Sequence, residues 1–191
     1  MTLANQLTVL RMCLVPVLVI LLVYGLYGWA FVVFVMAGVT DALDGLFARI
    51  RHERTELGTM LDPLADKLLV TSSLIVLSLP GSPLTVRIPA WITILSISRD
   101  AGILLTVLVF NLAVERRIFP PSLLGKATTT AHLVTILWVI GCNYRGSDHP
   151  LTNVLLGIVV ALVVASALHY LYTLRAIPEE ESRRSTDGPL R

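Results

Sequence analysis

Six long apolar runs separated by short polar breaks constrain this chain more than anything else in it: Met12–Tyr27, Trp29–Thr40, Leu68–Leu79, Ile88–Ala113, Leu123–Cys142 and Leu151–Leu174. None alternates with period two, so a half-buried sheet is excluded. A helix needs about 20 mostly apolar residues to cross a bilayer, and in lipid only helices and closed barrels satisfy their own backbone. With the second and third runs extended into their polar flanks, the pattern predicts an all-α integral membrane protein. Six transmembrane helices form one bundle, preceded by a short interfacial helix at Thr2–Thr8. Composition agrees: 55% of the 191 residues are hydrophobic and only 15% charged, against about a quarter in a soluble domain.

The breaks set the boundaries. Gly25 and Gly28 allow a tight turn after a first span that Pro16 kinks, and the second helix starts near Trp29. Ile50–Leu57 connects it to a third helix, which begins near Gly58 and stops before the turn signal Leu79-Pro80-Gly81-Ser82-Pro83. The fourth is expected over Pro89–Ala113, the fifth over Ser122–Cys142 and the sixth over Pro150–Leu174. The membrane domain then covers residues 1–177. The charged stretch 178–191, which lacks apolar content, is expected to be a disordered cytoplasmic tail.

Charge orients the bundle. With the N-terminus inside, Arg11, Arg49, Arg51, Arg54, Arg116, Arg117, Arg175, Arg183, Arg184 and Arg191 all fall on the cytoplasmic side, and only Arg87 and Arg145 fall outside. Both termini are therefore expected in the cytoplasm, at a bacterial cytoplasmic membrane. The first run lacks an Ala-x-Ala-like cleavage site and reads as a retained span. Cys13 and Cys142 sit in apolar surroundings and read as packing residues. Tyr170 and Tyr172, with His169 and Arg175, fit an interfacial belt.

The chemistry lies between Asp41 and Asp66. Asp41 and Asp44 are about 60° apart on one helix, Asp62 and Asp66 about 40° apart on the next. At ~1.5 Å per residue, Asp44 and Asp41 stand roughly 8 and 12 Å above Arg49, and Asp62 and Asp66 roughly 6 and 12 Å above Gly58. The pairs match in depth. Four carboxylates so close stay ionised only if cations neutralise them, and oxygen donors suit Mg²⁺ or Mn²⁺. Two ions suit a phosphoryl displacement. Gly45 and Gly58 open space for a ligand or for helix packing, and Arg49 reaches a phosphate bidentately. A single intramembrane aspartate also fits a proton relay or a helix tether. Four at one depth beside an arginine point to function.

The pattern Asp41-x-x-Asp44-Gly45-x-x-Ala48-Arg49, eight residues, Gly58-x-x-x-Asp62-x-x-x-Asp66 resembles the signature of the CDP-alcohol phosphotransferase family at every specified position. The resemblance spans Thr2 to Leu174. It implies that Asp41, Asp44 and Asp62 bind metal, and that Asp66 shares a metal and deprotonates the acceptor hydroxyl. It also implies that Gly45, Ala48, Arg49 and Gly58, with Asp41, line the CDP site, and that the protein is a homodimer. The lead-in Asn5-x-x-Thr8-x-x-Arg11 resembles that of the glycerophosphate- and cardiolipin-forming members, in which the Asn and Thr approach the nucleotide. An interfacial cap with a snorkelling arginine explains the same residues.

The acceptor depends on residues outside the signature. Arg99, with Asp100 in the middle of an apolar run, and Lys126 are candidates to hold an anionic acceptor. A structural ion pair and a helix anchor are the alternatives. Pro121-Ser122-Leu123-Leu124-Gly125-Lys126 resembles the phosphatidylglycerophosphate-forming branch, while Arg99-Asp100 resembles the cardiolipin-forming one. The expected donor is CDP-diacylglycerol and the expected acceptor glycerol 3-phosphate, with phosphatidylglycerol second. His132 reads as a satisfied core histidine or an acceptor contact. An aspartate-based cation or proton transporter is the rival from another class, but such sites favour the midplane and internal repeats, and no tandem repeat is present. Nothing in the sequence supports a nucleic-acid partner.

Overall fold

The computed structural model describes residues 3–51, 56–81, 83–113 and 123–186. Six α-helices account for nearly all of them: α1 (Leu3–Val23), α2 (Tyr27–Arg51), α3 (Glu56–Ser78), α4 (Ala90–Ala113), α5 (Leu123–Arg145) and α6 (Leu151–Thr186). α1 packs against α2 and α3, α5 against α6, α2 and α3, and α4 against α3 and α6. The expected order and boundaries hold to within a few residues except at the two ends of the chain. The lead-in is no separate helix, because α1 runs unbroken from Leu3 through Pro16. At the other end α6 continues through Pro178 to Thr186, where disorder was expected. The Glu- and Arg-rich composition there favours helix. Pro120-Pro121 lie outside the described residues.

The short outer turns are built by glycine. Gly25 (φ 72°) closes α1, with Leu26 N–H donating to Leu21 O and Gly25 N–H to Leu22 O. Gly146 (φ 66°) closes α5 through Ser147 N–H to Cys142 O and Gly146 N–H to Asn143 O. Both are Schellman caps, which need the left-handed conformation that glycine adopts without strain. Gly28, expected to help this turn, lies instead inside α2, where a Cβ would stand 2.8 Å from the Tyr144 ring. The α3–α4 connection is held down by Asn143, whose side chain accepts from Val86 N–H and donates to Val86 O.

Around an apolar core, the surface carries many large apolar side chains while several polar groups are buried. Trp29, Tyr24, Ile94, Leu105, Leu123 and Leu168 are exposed, while Thr8, Arg11, Ser73, Ser96, Thr128, His132 and Asn143 are buried. So much contiguous apolar surface fits lipid rather than water. Several of the buried hydroxyls are satisfied within their own helix, as Ser73 to Leu69 O and Thr135 to Ala131 O. Two helical segments, Leu123–Arg145 and Leu151–Tyr170, are long and apolar enough to cross a membrane, and Thr8–Val23 and Tyr27–Asp41 are shorter apolar helices. Cys142 packs in the core as expected. Cys13 does not: it is exposed on the outside of α1.

Candidate active site

Thr8 and Arg11, one turn apart on α1, are both fully buried. Arg11 Nη2 lies 2.8 Å from Asp41 Oδ1 on α2, and Nη1 lies 2.6 Å from Asp66 Oδ1 on α3. One guanidinium thus joins two signature aspartates from successive helices, which bears out their matched depth. Moving a guanidinium out of water costs several kcal/mol unless anions offset it, and here two do. The carboxylates themselves are 45% and 39% exposed, so each keeps an open side for a further ligand.

Asp44, Gly45, Ala48 and Arg49 lie on α2, Gly58 and Asp62 on α3 and Asn5 on α1, but their side chains fall outside the described ones. Among the described residues no three His, Cys, Asp or Glu side chains gather into a metal-binding group.

Beside Asp66 opens a cavity of about 210 Å³ between α3, α4 and α5, lined by Asp66, Lys67, Thr71, Ser96, Arg99, Asp100, Thr128 and His132 among others. Its charged groups are ordered among themselves. Arg99 Nη1 donates to Asp100 Oδ1 at 2.6 Å, Nη2 donates to Ser166 Oγ on α6, and Lys67 Nζ stands 3.9 Å from Asp100 Oδ2. Arg99 Nε is buried and has no hydrogen-bond partner among the described residues. His132 Nδ1 is 2.8 Å from Thr128 O, and Nε2 is 2.9 Å from Ser96 Oγ.

The structure therefore brings together Asp41 with Asp66, and Asp66 with Arg99. Lys126 is exposed and does not line the cavity; Lys67, adjacent to Asp66 in the chain, supplies a second cation there. Arg11 is no snorkelling anchor. Its signal was present in the sequence, because the spacing to Thr8 puts both residues on one helix face. Ser96, in contrast, carried no signal of its own.

A family model described as CDP-alcohol phosphatidyltransferase matches residues 1–171. A protein of Mycobacterium tuberculosis named "Probable phosphatidylglycerophosphate synthase" is 37% identical over 179 residues, 88% of this chain and 79% of that protein. The "CDP-diacylglycerol--glycerol-3-phosphate 3-phosphatidyltransferase" of Bacillus subtilis is 29% identical over 186 residues, 88% of this chain and 92% of that one. The "Cardiolipin synthase (CMP-forming)" of Streptomyces coelicolor is 33% identical over 138 residues, 68% of this chain and 60% of that one.

Proposed function

We infer the reaction from one premise: the chain belongs to the CDP-alcohol phosphatidyltransferase family. It is an enzyme of phospholipid biosynthesis that transfers a phosphatidyl group, with a CDP-linked donor and an alcohol acceptor. The specific reaction we propose is transfer from CDP-diacylglycerol to glycerol 3-phosphate, giving phosphatidylglycerophosphate and CMP. The observation that carries it is the cavity that starts at Asp66 and holds Lys67 and Arg99. A base and two cations that share the single counter-ion Asp100 suit an alcohol that also bears a phosphate.

In this reading Asp66 takes the proton of the acceptor hydroxyl. The freed oxygen attacks the lipid-side phosphorus of the diphosphate, a new P–O bond forms, and the bond to CMP breaks. The Arg99 guanidinium and the Lys67 ammonium, both of which line the cavity, are the donors for the acceptor phosphate. Asn5, Asp41, Gly45, Ala48, Arg49 and Gly58 form the CDP site; Thr8, expected to join them, is fully buried and offers the nucleotide no surface. Asp41, Asp44, Asp62 and Asp66 would hold two ions, Mg²⁺ or Mn²⁺, as suits a phosphoryl displacement. The convergence of Asp41 and Asp66 on one cationic group is the observation that fits this, together with their hard oxygen donors. Such ions supply charge neutralisation for the diphosphate and the departing CMP.

The reading includes six membrane spans over residues 1–177, both termini and the site at the cytoplasmic face, and a homodimer. The spans are supported by the many large apolar side chains exposed on the helices, and the orientation by the arginine distribution.

Purified protein with CDP-diacylglycerol and Mg²⁺ should release CMP when glycerol 3-phosphate is added. Release with phosphatidylglycerol alone would replace this acceptor by the cardiolipin-forming one, which the Arg99-Asp100 pair and the Streptomyces relative favour. No release with any alcohol, alongside cation flux in liposomes, would sink the enzyme reading. Arg99→Ala is expected to raise KM for glycerol 3-phosphate about 10- to 100-fold, the worth of a charge-assisted hydrogen bond, with KM for the donor changed less than about threefold.

A further inference from the structure

The Ser96–His132 pair does more than fill space in the cavity wall. His132 Nδ1 faces the Thr128 carbonyl at 2.8 Å. A carbonyl only accepts, so Nδ1 carries the hydrogen. The other nitrogen faces Ser96 Oγ at 2.9 Å. Neither of these contacts is charged, and a buried imidazolium with no anion in contact is costly, so the ring is neutral and Nε2 is a bare acceptor. Ser96 must then donate its only hydroxyl hydrogen to His132. What Ser96 retains for the cavity is a lone pair, which binds a donor and nothing else.

The position of that lone pair narrows the ligand further. Ser96 lies three and four residues before Arg99 and Asp100 on α4, so the three share a face and stand about one turn, roughly 5 Å, apart along the axis. Asp66 lines the same cavity from α3. Ser96 stands about one turn deeper than Arg99 and Asp66, at the cavity floor with His132, so with a phosphate at Arg99 and an attacking hydroxyl at Asp66 it meets a group that points inward from the middle of a short acceptor. We infer that Ser96, oriented by His132, is a specificity-determining residue that accepts a hydrogen bond from the acceptor's unattacked middle hydroxyl. This rests on the acceptor reading given above.

The test compares glycerol 3-phosphate with 3-hydroxypropyl phosphate, which keeps the phosphate and the reactive primary alcohol and lacks the middle hydroxyl. CMP release by the full-length enzyme with CDP-diacylglycerol and Mg²⁺ gives kcat/KM for each. Wild type is expected to favour glycerol 3-phosphate by about tenfold or more, roughly the worth of one buried hydrogen bond whose loss leaves a group unpaired. Ser96→Ala should bring the ratio to within about twofold of unity by losing rate on glycerol 3-phosphate alone. A wild type that does not discriminate, or a Ser96→Ala variant that keeps the wild-type ratio, overturns the assignment. Because the ratio is internal to each preparation, partial misfolding does not mimic the effect. If Ser96→Ala cannot be purified, Ser96→Cys, whose sulfur is a weak acceptor, must narrow the same ratio. Activity with phosphatidylglycerol but not with glycerol 3-phosphate would overturn the acceptor reading instead. The ratio is then taken between phosphatidylglycerol and its analogue with a propane-1,3-diol headgroup, with the same two outcomes.

Discussion

Asp66→Asn should lower kcat for CMP release by about a thousandfold, with KM for CDP-diacylglycerol within a few-fold of wild type. A positioned general base contributes about 10²–10⁴ in rate, so a thousandfold loss is about 4 kcal/mol of barrier. The substitution is conservative for the fold. An asparagine oxygen still accepts from Arg11 Nη1, which now lies 2.6 Å from Asp66 Oδ1, so the helices keep their register while the carboxylate's ability to take a proton is gone. Steady-state kinetics at saturating donor and acceptor is the measurement. A loss below tenfold would remove Asp66 from the role of base. A collapse of the thermal transition would assign the loss to folding instead.

Arg11→Met is expected to destabilise the protein by about 2 kcal/mol in EDTA. Removing one partner of a buried pair costs about 3–5 kcal/mol, and the half-exposed carboxylates lower that figure because water reaches them. Methionine keeps most of the length and removes the charge, so cavity formation contributes little. What remains is two carboxylates that had shared one cation and now repel each other. Millimolar Mg²⁺ should therefore restore much of the lost stability in the variant and add less to wild type. Thermal unfolding in detergent, with and without Mg²⁺, reads both. A deficit that Mg²⁺ leaves unchanged would mean that Arg11 acts through packing alone.

The sequence was most informative where spacing alone carries the chemistry. Asp41 and Asp66 share a depth because helical rise is fixed, and the structure joins them through one side chain. It was least informative where helix rotation decides. Lys126 and Lys67 are equally plausible cations by composition, yet Lys126 is exposed while Lys67 lines the cavity. The spacing of Arg11 to Thr8 marked a polar face of α1, but an interfacial anchor fitted it too, because nothing local to α1 says what covers it; one of its partners lies 55 residues along the chain. Cys13 misled for the same reason: in lipid an apolar neighbourhood in sequence belongs equally to the outside of a bundle.

Beyond the floor of the cavity, the described core is mainly apolar, and its buried hydroxyls Thr93 and Thr135 are bonded to backbone carbonyls. His132 on α5 is followed by Ile136, Val139 and Ile140, Leu74 on α3 by Leu77, and Ser96 on α4 is preceded by Ile92 and Ile88, all of them buried. Together they form an apolar layer about two helical turns, ~10 Å, thick. Beyond it the Asn143–Val86 hydrogen bonds hold the outer loop down. A hydrated ion drawn in by the charged groups of the cavity would have to shed its water to go further, at a cost of many kcal/mol. In the six-span reading proposed above, this layer would be an insulator: it would let a bilayer host a charged reaction chamber without short-circuiting the voltage across it.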